Sequence, residues 1–252
     1  VGCATGYMSK ILKEQLECEV VGVELDPDAA HEAEEFCKRV IIGDIESLDL
    51  GKEFKPNIFD VIIFSDVLEH FKNPWEILSN ISIFLKDDGF LLSSIPNIAH
   101  ASVIIELIGG NFQYRPLGLL DDTHLRFFTK RSIYELFEKT GYVVSNFDRV
   151  KIPPQFTEIK SRINNVPQEI INILYNSNDE ADTYQFIVKA YKASEKGIIL
   201  KMSEQIKVLE IYIQQKEEEI QQKEEEIQQK GTMIQWYQNS MSWRITAPLR
   251  WL

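Results

Sequence analysis

A chain of 252 residues that is 44 % hydrophobic and 11 % aromatic holds enough apolar material for one sizeable core and an appendage. Its formal charge of −12 repels phosphate backbones, which argues against a nucleic-acid partner and favours small or neutral substrates. Three cysteines, Cys3, Cys18 and Cys37, form no CxxC pair, so neither a disulfide framework nor a zinc site is expected and a reducing cytoplasm fits best. No apolar run reaches the length needed to cross a bilayer.

The chain opens on VGCATGY, a glycine-bracketed turn of the kind that receives a buried strand and launches a helix. Only Val1 stands before the turn, so the sequence reads as a fragment that lacks its first strand. Met8, Ile11, Leu12 and Leu16 then recur at helical spacing, and VVGVE reads as a buried strand ended by an acid. Asp26-Pro27 starts the next helix, aspartate as cap and proline in the first turn. RVIIG is a strand ending at Gly43-Asp44, FDVIIFSD a third, NPWEILSNISIFLK a helix, and GFLLSSIPN a fourth strand stopped by Pro96. This β-α alternation with continuously apolar strands predicts an α/β fold, a doubly wound Rossmann-like parallel sheet covered on both faces.

The segment from Ile98 to Phe128 is irregular and holds Gly109, Gly110 and the string LLDDTHLRFF. Thr129 caps the amphipathic helix KRSIYELFEKT, which Gly141 closes. YVVSNFDRV and TYQFIVKAYK supply two further strands around a helix near Val166 to Tyr175, completing a domain over residues 1–192. Composition then shifts. QQKEEEI occurs at 214–220 and again at 221–227, a period of seven. Ile206, Ile213, Ile220, Ile227 and Ile234 share one heptad position, but the second seam position holds Leu209 and then Lys216, Lys223 and Lys230. A weak coiled coil that joins copies of the chain, or a solvated helix supported by Glu219–Lys223 and Glu226–Lys230 pairs, fits residues 193–234. Either makes a spacer of roughly 50 Å, at ~1.5 Å per residue. The tail at 235–252 carries Trp236, Tyr237, Trp243, Trp251, Arg244 and Arg250 with no acid, which suits peripheral contact with an anionic membrane face or packing on a downstream domain.

Gly2 and Gly6 lack a Cβ, so backbone can approach a ligand where open α/β sheets bind one. Glu24 follows about one βαβ unit later, where its carboxylate can accept both hydroxyls of a ribose. Asp44 could accept from an adenine amino group while Ile45 donates its N–H to a ring nitrogen. An NAD site would use the same ribose acid but carries GxGxxG, which VGCATGY does not supply.

With these pieces, VGCATGY, VVGVELDP, GDIE, FDVIIFSDVLEHFKNPWEIL and LKDDGFLLSSIPN in order, the chain resembles the class I S-adenosylmethionine-dependent methyltransferases of the small-molecule branch. The resemblance implies that Gly2 and Gly6 pack against the methionine moiety, Glu24 with Leu25 beside it binds ribose, Asp44 and Ile45 bind adenine, and Ser65, Asp66 and Leu68 line the cofactor cleft. It departs from the family at Ala4, where a glycine is usual. The string PNIAHASVIIELIGGNFQYRPLGLLDDTHLRFFTKRS is similar to methyltransferases encoded with or fused to glycosyltransferases of bacterial surface-polysaccharide synthesis. That implies a glycan acceptor and a glycosyltransferase partner or fused domain.

Methyl transfer to a sugar hydroxyl benefits from a base. His124, in an irregular loop beside Asp121 and Asp122, is the first candidate and His100 the second. Asp122 and Arg126 are candidate acceptor-binding residues. Glu69-His70 is expected to shape the loop after the third strand, and no ligand spacing demands a metal. Two other classes remain in play: a cofactor-poor scaffold of a glycan-synthesis complex, and an NAD-dependent sugar-modifying enzyme.

Overall fold

The computed structural model describes residues 1–159 and 166–240. Its first half runs α1 (Tyr7–Leu16), β1 (Val21–Glu24), α2 (Pro27–Ala33), β2 (Arg39–Ile42), α3 (Leu50–Glu53), β3 (Phe59–Ser65), α4 (Pro74–Ile81) and β4 (Leu85–Pro96). Its second half continues with α5 (Ala101–Ile108), α6 (Lys130–Lys139), β5 (Tyr142–Lys151), α7 (Gln168–Ser177), β6 (Thr183–Lys192) and α8 (Glu195–Asn239).

Helix starts follow local chemistry. The Asp26 side chain accepts the Asp28 N–H at 2.9 Å, and Pro27 takes the first helical position of α2, where its missing N–H costs nothing. At α6, Thr129 and Ser132 form a reciprocal capping box. Within the irregular segment, α5 forms with His100 as its cap: the ring accepts the Ser102 N–H.

β1 pairs with β2 and β3 with β4, both in parallel. The expected parallel sheet holds for these four strands, but the second sheet is mixed. Its order is β3-β4-β6-β5, and β6 runs antiparallel to both neighbours. β5 runs parallel to β4 but not beside it, and β6 fills the place between them, bonded to both. Val1 and Gly2 lie between the two sheets. The Val1 amino group donates to the Ile63 carbonyl on β3 at 2.8 Å, and the Gly2 N–H to the Val23 carbonyl on β1 at 2.8 Å. The main core joins Phe64, Leu91 and Ile95 of the sheet to Leu78 of α4 and Ile133, Leu136 and Phe137 of α6, all essentially solvent-free.

Residues Val1–Met202 form one compact unit and Ser203–Leu252 a second. In the second unit the five heptad isoleucines, Ile206 to Ile234, are all exposed. Glu226 pairs with Lys230 at 3.7 Å as expected, whereas Glu219 turns back to Lys216 at 2.7 Å. A continuous helix is what both readings of the heptads require. Among the described residues no helix is long and apolar enough to cross a membrane. Trp236 and Tyr237 are exposed at the end of α8, while Trp243, Arg244, Arg250 and Trp251 lie outside the described residues.

Candidate active site

The turn from Gly2 to Gly6 sits at the carboxyl ends of β1 and β3. Gly2 has φ 63°, and a Cβ there would stand 2.6 Å from Val67 Cγ2, just past β3. Gly6, at φ 83°, is buried: a Cβ would meet the Ala33 backbone at 2.9 Å, so this glycine lets α1 close onto α2. Between them Ala4 adopts φ 45°, and its N–H donates to Glu24 Oε2 at 2.7 Å. Glu24 Oε1 accepts the N–H groups of Leu25 (2.8 Å) and Asp26 (3.0 Å). The acid at the end of β1 thus holds the glycine turn and its own loop together; with about two acceptor sites per carboxylate oxygen, Oε1 is filled and Oε2 retains room for one further donor. Leu25 itself is exposed.

Past β2, Asp44 Oδ1 accepts the Glu46 N–H at 2.9 Å, while the Ile45 side chain is buried in the main core, leaving its backbone as the part able to meet a ligand. Leu68 is likewise fully buried. At the end of β3, Asp66 takes φ 53°. Ser94 on β4 holds it there: its Oγ accepts the Asp66 N–H at 3.0 Å, donates to Asp66 Oδ2 at 3.1 Å and lies 3.1 Å from the Ser65 hydroxyl. Gln185 of β6 donates to the other Asp66 oxygen. Ser94 and Gln185 were not visible as site residues in the sequence.

A second group of residues adjoins this loop. Glu69 follows β3 in a short 3-10 turn and is 1 % exposed. Its carbonyl accepts the N–H groups of Leu125 and Arg126, both at 2.9 Å, which clips the loop around residues 121–126 against it. That clip brings His124 Nε2 to 3.9 Å from Glu69 Oε1, and the His70 and His124 rings to a 4.8 Å edge contact. Burial pushes the Glu69 carboxyl up to about 8, with Asp66 and Asp121 adding to the rise. Burial, then the neighbouring His70, lowers His124, while Asp121 acts weakly in the opposite sense. Both partners are therefore mostly uncharged at neutral pH, and their contact is not an ion pair there. The Asp121 carboxylate is turned to Thr123, whose hydroxyl donates to it at 2.6 Å.

The other candidates are placed differently. His100 is fully buried, with Nδ1 2.8 Å from the Ser102 hydroxyl and Nε2 2.8 Å from the Ile152 carbonyl. Both nitrogens are occupied in anchoring α5 to β5's exit. Asp122 is exposed, and the Arg126 guanidinium donates to the Lys72 carbonyl.

The family model described as a methyltransferase domain matches residues 1–146. The chain belongs to this methyltransferase family. Solved structures agree on the fold. A SAM-dependent methyltransferase of Archaeoglobus fulgidus is 21 % identical, with TM-score 0.51 over 76 % of this chain and 83 % of its own. A Bacillus halodurans protein described as a methyltransferase is 17 % identical, with TM-score 0.52 over 77 % and 90 %. A search of the curated proteins finds no match.

Proposed function

We propose that this methyltransferase binds S-adenosylmethionine at the carboxyl ends of β1 to β3 and transfers its methyl group to a hydroxyl of a small, sugar-like acceptor. The observation that carries the reading is the clip from Glu24 to Ala4. It fixes a glycine turn and a carboxylate beside one another, as a ligand with a ribose between a methionine tail and an adenine requires. Asp44 and the Ile45 N–H then face the adenine, Gly2 faces the methionine end, and Leu25, Ser65, Asp66 and the Leu68 backbone border the cleft.

The transfer is an in-line displacement. The acceptor oxygen forms the new bond to carbon as the C–S bond breaks, its electron pair neutralises the sulfonium, and the hydroxyl proton leaves. Alignment supplies the larger share of such a rate, up to ~7–11 kcal/mol. His124, kept neutral and set against Glu69 in the loop that follows Asp66, is the group on this side that can handle the acceptor's proton. Asp122 and Arg126, exposed on the same loop, would meet the acceptor as it arrives. The similarity of residues 96–132 to methyltransferases of surface-polysaccharide synthesis supports a glycan acceptor and a glycosyltransferase partner. An acceptor panel of monosaccharides, nucleotide sugars, amines and carboxylic acids, incubated with methyl-labelled S-adenosylmethionine, tests this. Label on a sugar oxygen is expected; label on nitrogen or carboxyl acceptors alone would overturn the acceptor class.

A further inference from the structure

Glu69, His70 and His124 each bring one potential ligand atom to within 4.8 Å of the others. Glu69 Oε2 is buried without a hydrogen-bond partner, on a residue that is only 1 % exposed. An orphaned buried oxygen costs about 1–3 kcal/mol, and an ion held by the Glu69 carboxylate would satisfy it. We propose that this cluster is a binding site for one divalent transition-metal ion, with Glu69, His70 and His124 as its protein ligands.

The geometry fits an ion. Two ligand atoms that each lie about 2.0–2.2 Å from a shared metal stand roughly 3–4.2 Å apart, and His124 Nε2 is 3.9 Å from Glu69 Oε1. The cluster's widest separation, up to 4.8 Å, exceeds that range, so binding would draw the side chains together. His70 has the outer support that a ligating imidazole needs: Nδ1 lies 3.1 Å from the Thr123 hydroxyl and 3.3 Å from the Thr123 carbonyl, which leaves Nε2 for the metal. Thr123 is in turn tied to Asp121.

Two imidazoles and one carboxylate select zinc, manganese, iron or cobalt over magnesium and calcium, which prefer all-oxygen shells. Three protein ligands leave coordination positions open. Those positions would take the acceptor's oxygen, a role that rests on the methyl-transfer reading; His124 then acts through the ion rather than by accepting the proton itself.

The test uses the full chain stripped with chelator and titrated calorimetrically with zinc chloride, manganese chloride and magnesium chloride. One zinc ion per chain is expected, bound at least tenfold more tightly than magnesium and weakened at least tenfold by His124→Ala. His70→Asn, at a half-buried position, gives the same loss in a variant whose fold is easily kept, checked by circular dichroism. Absence of a stoichiometric zinc site in the wild-type chain, or undiminished binding in His70→Asn with its fold intact, overturns the proposal. Titrating the same stripped sample with S-adenosylmethionine separates the two ideas: cofactor binding without zinc binding removes the metal site and leaves the methyltransferase reading standing.

Discussion

Ala4 stands in the left-handed region at φ 45° while its N–H donates to Glu24 Oε2 at 2.7 Å. The residue that strains the turn is the same one that ties it to the acid at the end of β1. A non-glycine residue is uncommon in this conformation, because Cβ crowds the following carbonyl. The hydrogen bond to a charged acceptor, a class of contact that contributes about 1.5–3 kcal/mol, offsets that strain.

Ala4→Gly is therefore expected to stabilise the chain by about 1 kcal/mol, since glycine adopts a positive φ without the steric cost. Urea unfolding of both proteins checks it. A lower midpoint in the variant would mean that the alanine methyl contributes packing that outweighs its strain.

Glu24→Ala removes the turn's acceptor and the carboxylate proposed for the ribose together. We expect S-adenosylmethionine affinity to fall by about 1.5–3 kcal/mol, with the fold retained. Glu24→Gln should fall between, because its amide oxygen can still accept from Ala4 while its NH2 faces the N–H donors of Leu25 and Asp26. Asp44→Ala should lose less than Glu24→Ala, since it holds one local N–H. Calorimetry on the three variants gives the ranking, and a larger loss at Asp44 would reverse the two roles.

Ser94 gathers Ser65 and both the N–H and carboxylate of Asp66. Ser94→Ala should loosen the left-handed Asp66 and cost about 1 kcal/mol of stability for each bond not replaced by water. Amide exchange at Asp66 and Val67 reads this locally; unchanged protection there would show that Gln185 holds the loop alone.

The meeting of the glycine turn with Glu24 was legible in the sequence because its parts are short and local. VGCATGY and the acid of VVGVE lie about one βαβ unit apart, and the continuous apolar runs and helical patterns around them mark strand ends. The reversal of β6 was not legible, since an apolar strand reads the same in either direction. Nor was the meeting of His70 and His124. They are brought together by the Glu69 carbonyl accepting from Leu125 and Arg126, a backbone contact that no side-chain pattern announces. Their one sequence cue was that each lies in a polar loop, LEH and DDTHLRF. The burial of His100 was not legible either: only the structure shows that α5 uses it as a cap.

Glu180 accepts from Arg149 and from Lys130, the latter at 2.6 Å, and these contacts, Arg149 first, hold its carboxyl down at about 2 from 4.5. A depressed acid contributes stability that is fully present above its unfolded value and lost as pH falls through the folded one. The contribution should thus disappear between about pH 4.5 and 2. In Arg149→Met the loss in that window should be smaller than in the wild-type chain, as read from urea midpoints at several pH values. Parallel curves for the two proteins would remove Glu180 from the acid response.

The proposed S-adenosylmethionine site is the clipped glycine turn together with Glu24. Titration calorimetry of the wild-type chain with S-adenosylmethionine, S-adenosylhomocysteine and NAD tests it most directly. One site for each sulfur compound, weakened by Glu24→Ala, and no heat with NAD are expected. Binding of NAD in preference, or of none of the three to a folded protein, would contradict it.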